Sequence, residues 1–243
     1  MLRDPINQNI LTWQGKLAGF QLLRTLRAGG LSSWATVCST WVWVSQSQSR
    51  RNQWYPLGMD PKTKSVVEAN EMVSMTSLFM LLGMCFRQLW LLEQPHSSIM
   101  AYHPRLQQVR GACADTDMWT WTEITTNMGA FGAPTQKKTK LWSCDNFILS
   151  LARVPTPADT HDPITGGVTG QAYPPEYGRE VFAQWSARMA NLDNDGHPEG
   201  QDALEGVNND DIPERTDRQD LWEDAGLDDI CRHIGVPFDR LLL

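Results

Sequence analysis

The sequence has 243 residues, which is enough for one large domain or two small ones. Hydrophobic residues make up 41% and charged residues 20%, a balance that is ordinary for a globular protein with its own core. The formal net charge is −7, and the 11 tryptophans indicate either a packed aromatic core or surfaces for stacking.

Charge divides the chain into a body and a tail. From Asp193 onward there are 15 Asp and Glu against 4 Lys and Arg, whereas the preceding residues carry 13 against 17. Acidic segments of this kind are typically solvated and flexible. The composition therefore predicts an α/β domain over residues 1–190 and an acidic, flexible tail over 191–243, with a short closing helix near its end.

The cysteines and the apolar segments exclude several protein classes. An odd number of cysteines without a Cys-x-x-Cys pair predicts no disulfide framework and no structural metal, and favours a reducing intracellular compartment, nuclear or cytoplasmic. We expect no signal peptide, because Asp4 interrupts the N-terminal segment. Residues 78–86 are too short to span a membrane, so no membrane partner is expected. The five cysteines are Cys38, Cys85, Cys113, Cys144 and Cys231.

Hydrophobic periodicity predicts alternating helices and strands. Strand 89–92 is a continuous apolar run, as expected for a strand that is buried on both faces. Pro104 lies inside a helical pattern and predicts a kink or a late helix start. The predicted helices cover residues 10–27, 66–86, 97–110, 146–151 and 176–189, and the predicted strands cover 34–38, 89–92, 118–126 and 141–144.

This order predicts a partial Rossmann-like α/β fold, with a mostly parallel sheet and helices on both faces. A short antiparallel strand near the end of the domain would also fit. Loops are predicted at residues 45–52, at the glycine-rich 127–134 and at the Pro/Gly/Thr-rich 153–169.

Three groups of side chains are candidates for chemistry. Glu93 ends the buried strand, and ligands bind beyond the carboxyl ends of strands in open α/β sheets. Cys38 follows the preceding strand, and Arg50 and Arg51 could activate its thiol if their loop folds back. Gln136 and the lysines at 137, 138 and 140 suit contacts with a phosphate backbone. Each group also has an alternative interpretation. Glu93 could mark a solvated strand end, Cys38 could be a buried structural thiol, and the lysines could form a solvated charged turn.

Four segments, in order, resemble the motifs of DNA (cytosine-5) methyltransferases, and most closely an algal group of methyltransferase-like proteins. Residues 37–41 resemble the Pro-Cys-Gln loop, and residues 92–95 resemble the Glu-Asn-Val segment. Residues 132–140 are similar to Gly-x-Pro-Gln-x-Arg-x-Arg, and residues 171–178 resemble the last motif, which opens a helix at the cofactor pocket.

The resemblance implies roles for particular residues. Cys38 would add to carbon 6 of a flipped-out cytosine, and Glu93 would hold the base while S-adenosylmethionine supplies the methyl group. Nucleic acid, either DNA or RNA, would be held by Ser39, Arg50, Arg51, Gln136, Lys138 and Lys140. Tyr173, Pro174 and Pro175 would line the cofactor pocket.

The sequence also departs from the pattern of the family. Val37 and Ser39 flank the cysteine in place of Pro and Gln, and no Phe-x-Gly-x-Gly cofactor turn precedes it. We therefore expect a degenerate domain that lacks its N-terminal part and binds nucleic acid without catalysis. Two further hypotheses are an active cytosine-5 methyltransferase and a truncated product that folds only in part.

Overall fold

The computed structural model describes residues 9–60, 62–134, 136–154 and 173–194, with the side chains of the last helix described as far as Asn191. The chain divides into two units, Met1–Ser186 and Ala187–Leu243. The predicted boundary at residue 190 falls inside the last helix. The predicted tail helix and most of the 153–169 loop lie outside the described residues.

Four strands form one mixed sheet. They are β1 (Leu31–Trp34), β2 (Leu89–Pro95), β3 (Thr122–Asn127) and β4 (Lys138–Ser143), in the order β1-β2-β4-β3. The β1–β2 pairing is parallel, and β4 runs antiparallel to both β2 and β3. The expected α/β class is confirmed, and the sheet is parallel in part: one of the three pairings among the described strands is parallel, and β4 is the antiparallel strand that was allowed near the end of the domain. The connection between β3 and β4 covers only residues 128–137, and a parallel crossover needs about a dozen residues or more.

The described residues form five α-helices in addition to the sheet. They are α1 (Trp13–Thr25), the single turn α2 (Gln46–Ser49), α3 (Lys64–Cys85), α4 (Pro104–Ala114) and α5 (Pro175–Asn194). Four 3₁₀ turns lie at Trp43–Ser45, Met100–Tyr102, Met128–Phe131 and Asn146–Leu151.

Local sequence signals explain several helix ends. Pro104 occupies the first turn of α4, where its missing N–H costs nothing, so the late helix start is confirmed. The Asp145 carboxylate accepts a hydrogen bond from the Phe147 N–H at 2.8 Å and so caps the 3₁₀ turn over the predicted helix 146–151. The buried Gln88 amide donates to the carbonyls of Leu23 and Leu26 at the end of α1, and the Leu23 carbonyl also accepts from the Leu26 N–H at 3.1 Å.

The core lies around β2. Its first six residues are buried, and because successive side chains of a strand point to opposite faces, both faces of β2 are covered. Helix α3 packs against β2, and Phe79 of α3 stacks on Trp34 of β1. The β1–α3–β2 segment is thus a crossover unit that joins two adjacent parallel strands.

The first strand lies earlier than predicted. Pairing begins directly after the Gly29–Gly30 turn, where the Leu89 N–H donates to the Gly30 carbonyl. Beyond Trp34 the chain leaves the sheet, so Cys38 lies in the loop after β1 and not within the strand. This loop is the start of the candidate site.

Three further predictions concern absences within the described ranges. Among the described residues, Cys38, Cys85, Cys113 and Cys144 form no disulfide. No group of His, Cys, Asp and Glu side chains among the described residues could hold a metal ion. None of the described helices is long and apolar enough to cross a bilayer.

Candidate functional site at the carboxyl end of the sheet

The sheet topology brings four chain segments to one edge. The parallel strands β1 and β2 end there, and so does β3, because β4 is antiparallel to both β2 and β3. For the same reason β4 begins at this edge. The Cys38 loop, Glu93 and the residues before Lys138 are therefore neighbours, although Cys38 and Lys137 are 99 positions apart in the sequence.

Hydrogen bonds hold the Cys38 loop against the end of β2. The buried Gln94 amide donates to the Thr36 carbonyl at 2.5 Å, and Ser98 Oγ in turn donates to Gln94 Oε1 at 3.2 Å. The Ile99 N–H donates to the Trp41 carbonyl at 2.9 Å. These contacts on both sides of Cys38 fix the backbone that carries the thiol.

Glu93 is the centre of the site. Its side chain is 7% exposed, and Lys137 Nζ lies 3.3 Å from its Oε1. Tyr173 lies on the other side of the same lysine, whose Nζ is 4.6 Å from the centre of the tyrosine ring and 3.5 Å from its hydroxyl. The Glu93 charge also acts on the Tyr173 hydroxyl, because it is one of the causes that raise the pKa of that group. Glu93 Oε1 accepts no aligned hydrogen bond from any described residue.

The tyrosines reach the site from the start of α5. Tyr173 and Tyr177 are four residues apart, and their rings contact each other with centres 5.7 Å apart. Burial, and secondly the Glu93 charge, raise the pKa values of both hydroxyls. Both therefore remain protonated and can donate a hydrogen bond at neutral pH.

Electrostatics connect Cys38 to the same group. Burial raises the pKa of the Cys38 thiol, the Glu93 charge raises it further, and the Lys137 charge acts in the opposite direction. Since the net effect is upward, the thiol stays protonated, and the site does not prepare a thiolate nucleophile in the absence of a ligand. We call Cys38, Glu93, Lys137 and Tyr173 the rim site.

The residues predicted to bind nucleic acid are not all together. Arg51 is 1% exposed, and its guanidinium contacts protein groups only, which does not suit a phosphate contact. Arg50 and Ser39 are exposed. Arg50 has a left-handed backbone with φ 51°, which ends the single turn α2.

The lysines after Gln136 point in different directions. Lys138 is exposed, whereas Lys140 pairs with Glu123 at 3.2 Å. Gln136 packs over Gly129, where an added Cβ would approach the Gln136 side chain at 3.4 Å. Lys137 was predicted only as one member of the basic run, yet it is the lysine that reaches Glu93.

Residues 173–175 were predicted to line a cofactor pocket. Tyr173 belongs to the rim site, Pro174 is buried, and Pro175 opens α5 in the position that proline favours. Gln94 and Tyr177 had no predicted role. The four-residue spacing of the two tyrosines at a helix start is the signal that would have indicated Tyr177.

Comparisons with protein-family models, with curated proteins and with solved structures gave no match for this chain.

Proposed function

We propose that this chain is a degenerate methyltransferase-like domain that binds nucleic acid at the rim site and does not catalyse methyl transfer on its own. One observation carries the proposal: Cys38, Glu93 and Lys137 lie on three separate segments that the sheet brings to one edge, where Lys137 pairs with Glu93 at 3.3 Å. These are the thiol, the acid and a member of the basic run that the resemblance brought together.

The sheet supports a partial Rossmann-like fold as part of the proposal. The β1–α3–β2 crossover joins adjacent parallel strands, and the rim site lies at their carboxyl ends, where ligands bind in doubly wound sheets. Three of the four strands share one direction, with β4 reversed. Mixed sheets of this kind are common among doubly wound folds.

The chemistry of Glu93 suits an extruded nucleobase. Its buried Oε1 has no aligned donor, and a base edge carrying N–H groups can supply one. Lys137 places positive charge beside the ligand, and the Tyr173 ring is 36% exposed and offers a stacking face. These three groups bind and orient a base without any covalent step.

Three observations favour binding over catalysis. The raised pKa of Cys38 leaves the thiol protonated, so it is a poor nucleophile towards carbon 6 of cytosine. S-adenosylmethionine would supply a methyl group if bound, but Tyr173 is already engaged by Glu93 and Lys137. The sequence contains no Phe-x-Gly-x-Gly turn to hold that cofactor.

Fluorescence anisotropy with a labelled cytosine-containing oligonucleotide tests the proposal. We expect binding that weakens steeply as salt increases and that persists in Cys38→Ser. Glu93→Gln should remove the preference for the cytosine oligonucleotide over one with an abasic site at that position. Glu71→Gln, which alters an exposed acid on α3, is the matched control. Absent or salt-independent binding would overturn the proposal.

The alternative is an S-adenosylmethionine-dependent cytosine-5 methyltransferase acting on DNA or RNA. It is favoured by the position of the Cys38 thiol within reach of the Glu93 and Lys137 charges. Calorimetry at millimolar cofactor and transfer of a labelled methyl group to the oligonucleotide separate the two functions. Detectable heat together with transfer that is lost in Cys38→Ser would establish the enzyme.

A further inference from the structure

A single buried side chain fixes the loop that runs from the Cys38 segment to α3. The Arg51 guanidinium lies 3.6 Å from the centre of the Trp41 ring. Its Nη1 donates to Asn70 Oδ1 at 2.7 Å and to the Pro56 carbonyl, and its Nη2 donates to the Val66 carbonyl at 3.0 Å. Both arms of the loop, before and after Arg51, are thereby attached to α3.

Further hydrogen bonds order the second arm. Asn52 Oδ1 accepts from the N–H groups of Trp54 and Tyr55, each at 2.9 Å, and the Asn70 amide donates to the Leu57 carbonyl at 3.0 Å. A loop with this many internal contacts holds its side chains in defined positions.

Although its backbone is fixed, this loop exposes large apolar side chains. Trp43 is 70% exposed, Val44 80%, Trp54 78% and Tyr55 58%. We call these four residues the aromatic platform. These exposed side chains form two pairs, one on each arm of the loop, and rings held this way on an ordered loop are accessible for stacking with a ligand.

The charges of the loop are mainly positive. Arg50 and Lys62 are exposed, and the exposed Lys64 pairs with Glu68 on α3 at 3.7 Å. Asp60 is the one acid among residues 41–64, and its carboxylate already accepts hydrogen bonds from the Lys62 N–H and the Thr63 hydroxyl. Aromatic rings combined with cations are the features that bind single-stranded nucleic acid, because every base offers a flat face and every phosphate a charge.

We propose that the aromatic platform binds single-stranded nucleic acid by stacking of its bases. The inference rests on the proposed function for its class of ligand and specifies the strand type. Bases of a duplex are stacked on each other, and exposed tryptophan rings cannot reach their faces.

Anisotropy measurements on the full chain test the proposal with a fluorescein-labelled dT12, an rU12 of equal length and a 12-base-pair duplex. The single strands should bind at least about tenfold more tightly than the duplex. Trp43→Ala and Trp54→Ala should each weaken single-strand binding by about tenfold or more. Trp54→Phe should retain most of the affinity because it keeps a ring. Trp13→Ala removes a 54% exposed tryptophan on α1 and should have no effect.

The outcomes separate the platform from the rim site. Loss of dT12 and rU12 binding in the alanine variants, with the cytosine preference unaffected by Glu93→Gln, would support the platform and overturn the proposed role of Glu93. Unchanged binding in the alanine variants would overturn the platform, even if Glu93→Gln abolished the cytosine preference. Tighter binding of the duplex, or a dimer that disappears in the alanine variants, would also overturn it.

Discussion

Two basic segments border the same edge of the sheet, and each sends one cation inward and its neighbour outward. Arg51 is buried while Arg50 is exposed, and Lys137 reaches Glu93 while Lys138 is exposed. The partners of the inward cations differ. Arg51 contacts neutral carbonyls, an amide and a ring, whereas Lys137 contacts a carboxylate and a tyrosine beside a thiol. The first arrangement holds a loop in place, and the second forms a site.

The strongest test of this comparison is the substitution Arg51→Met. It leaves the Asn70 oxygen and two carbonyls without their donor, and we expect a loss of about 3 kcal/mol or more in the free energy of unfolding. Urea denaturation measures it. Arg50→Lys keeps an exposed positive charge at the preceding position, and it should change the free energy of unfolding by less than about 0.5 kcal/mol. A small effect of Arg51→Met would mean that the loop does not depend on this side chain.

The surroundings of Arg51 also predict a pH dependence. His103 contacts Trp41 edge-on, and burial, followed by the charges of Arg51 and Arg105, lowers its pKa from 6.5 to about 4. Between these values the unfolded chain binds more protons than the folded one, so stability is lost as pH falls from 6.5 to 4. We expect a loss of about 2 to 3 kcal/mol from this group.

Urea denaturation at a series of pH values measures this loss. His103→Asn provides the comparison, because asparagine can still cap α4, where His103 Nδ1 accepts from the Arg105 N–H, but does not titrate. Its stability should vary less with pH over this window. An equal slope in both proteins would assign the acid sensitivity to other groups.

The next test concerns the ion pair between Lys137 and Glu93. In Lys137→Met the buried Glu93 carboxylate loses its cation, and we expect stability to fall by about 2 kcal/mol. Lys138→Met should be nearly neutral, since Lys138 is exposed. Adding Glu93→Gln to Lys137→Met should restore part of the loss, and a double-mutant cycle measures the coupling. Additive effects would show that the pair does not interact.

The smallest expected effect concerns the reactivity of Cys38. Glu93 raises the pKa of the thiol and Lys137 lowers it, so Glu93→Gln should speed alkylation by iodoacetamide at pH 8 several-fold, and Lys137→Met should slow it. Mass spectrometry of the Cys38 peptide measures the rate. Cys113 is an internal reference, because burial raises its pKa to about 12. Identical rates in both variants would place Cys38 outside the influence of the rim site.

Part of the fold and of the site was predictable from local patterns. The continuous apolar run of β2 predicted a strand buried on both faces, and Pro104 predicted the late start of α4. The position of Glu93 at the strand end suggested a site because strand ends are where open sheets bind ligands. Each of these follows from a few neighbouring residues.

Other features depended on distant contacts. The start of β1 was wrong by a few residues, because pairing with Leu89 fixes the register and the β-favouring residues after Trp34 lie in a loop. The antiparallel β4 could not be read from its own sequence, since a strand carries no local mark of its direction. The burial of the Arg51 side chain could not be predicted either, because its partners lie on α3 and in the second arm of the loop.

The sequence alone determined which side chains were available to the site: a thiol, a carboxylate and a lysine run, each next to the end of a strand. Only the tertiary structure decided that Lys137, and not Lys138 or Lys140, contacts Glu93, and that Arg51 turns into the body. For the lysine run, the physical reason is that side chains alternate with a period of two along an extended chain. The register between distant strands therefore decides which residue of a run faces a given neighbour.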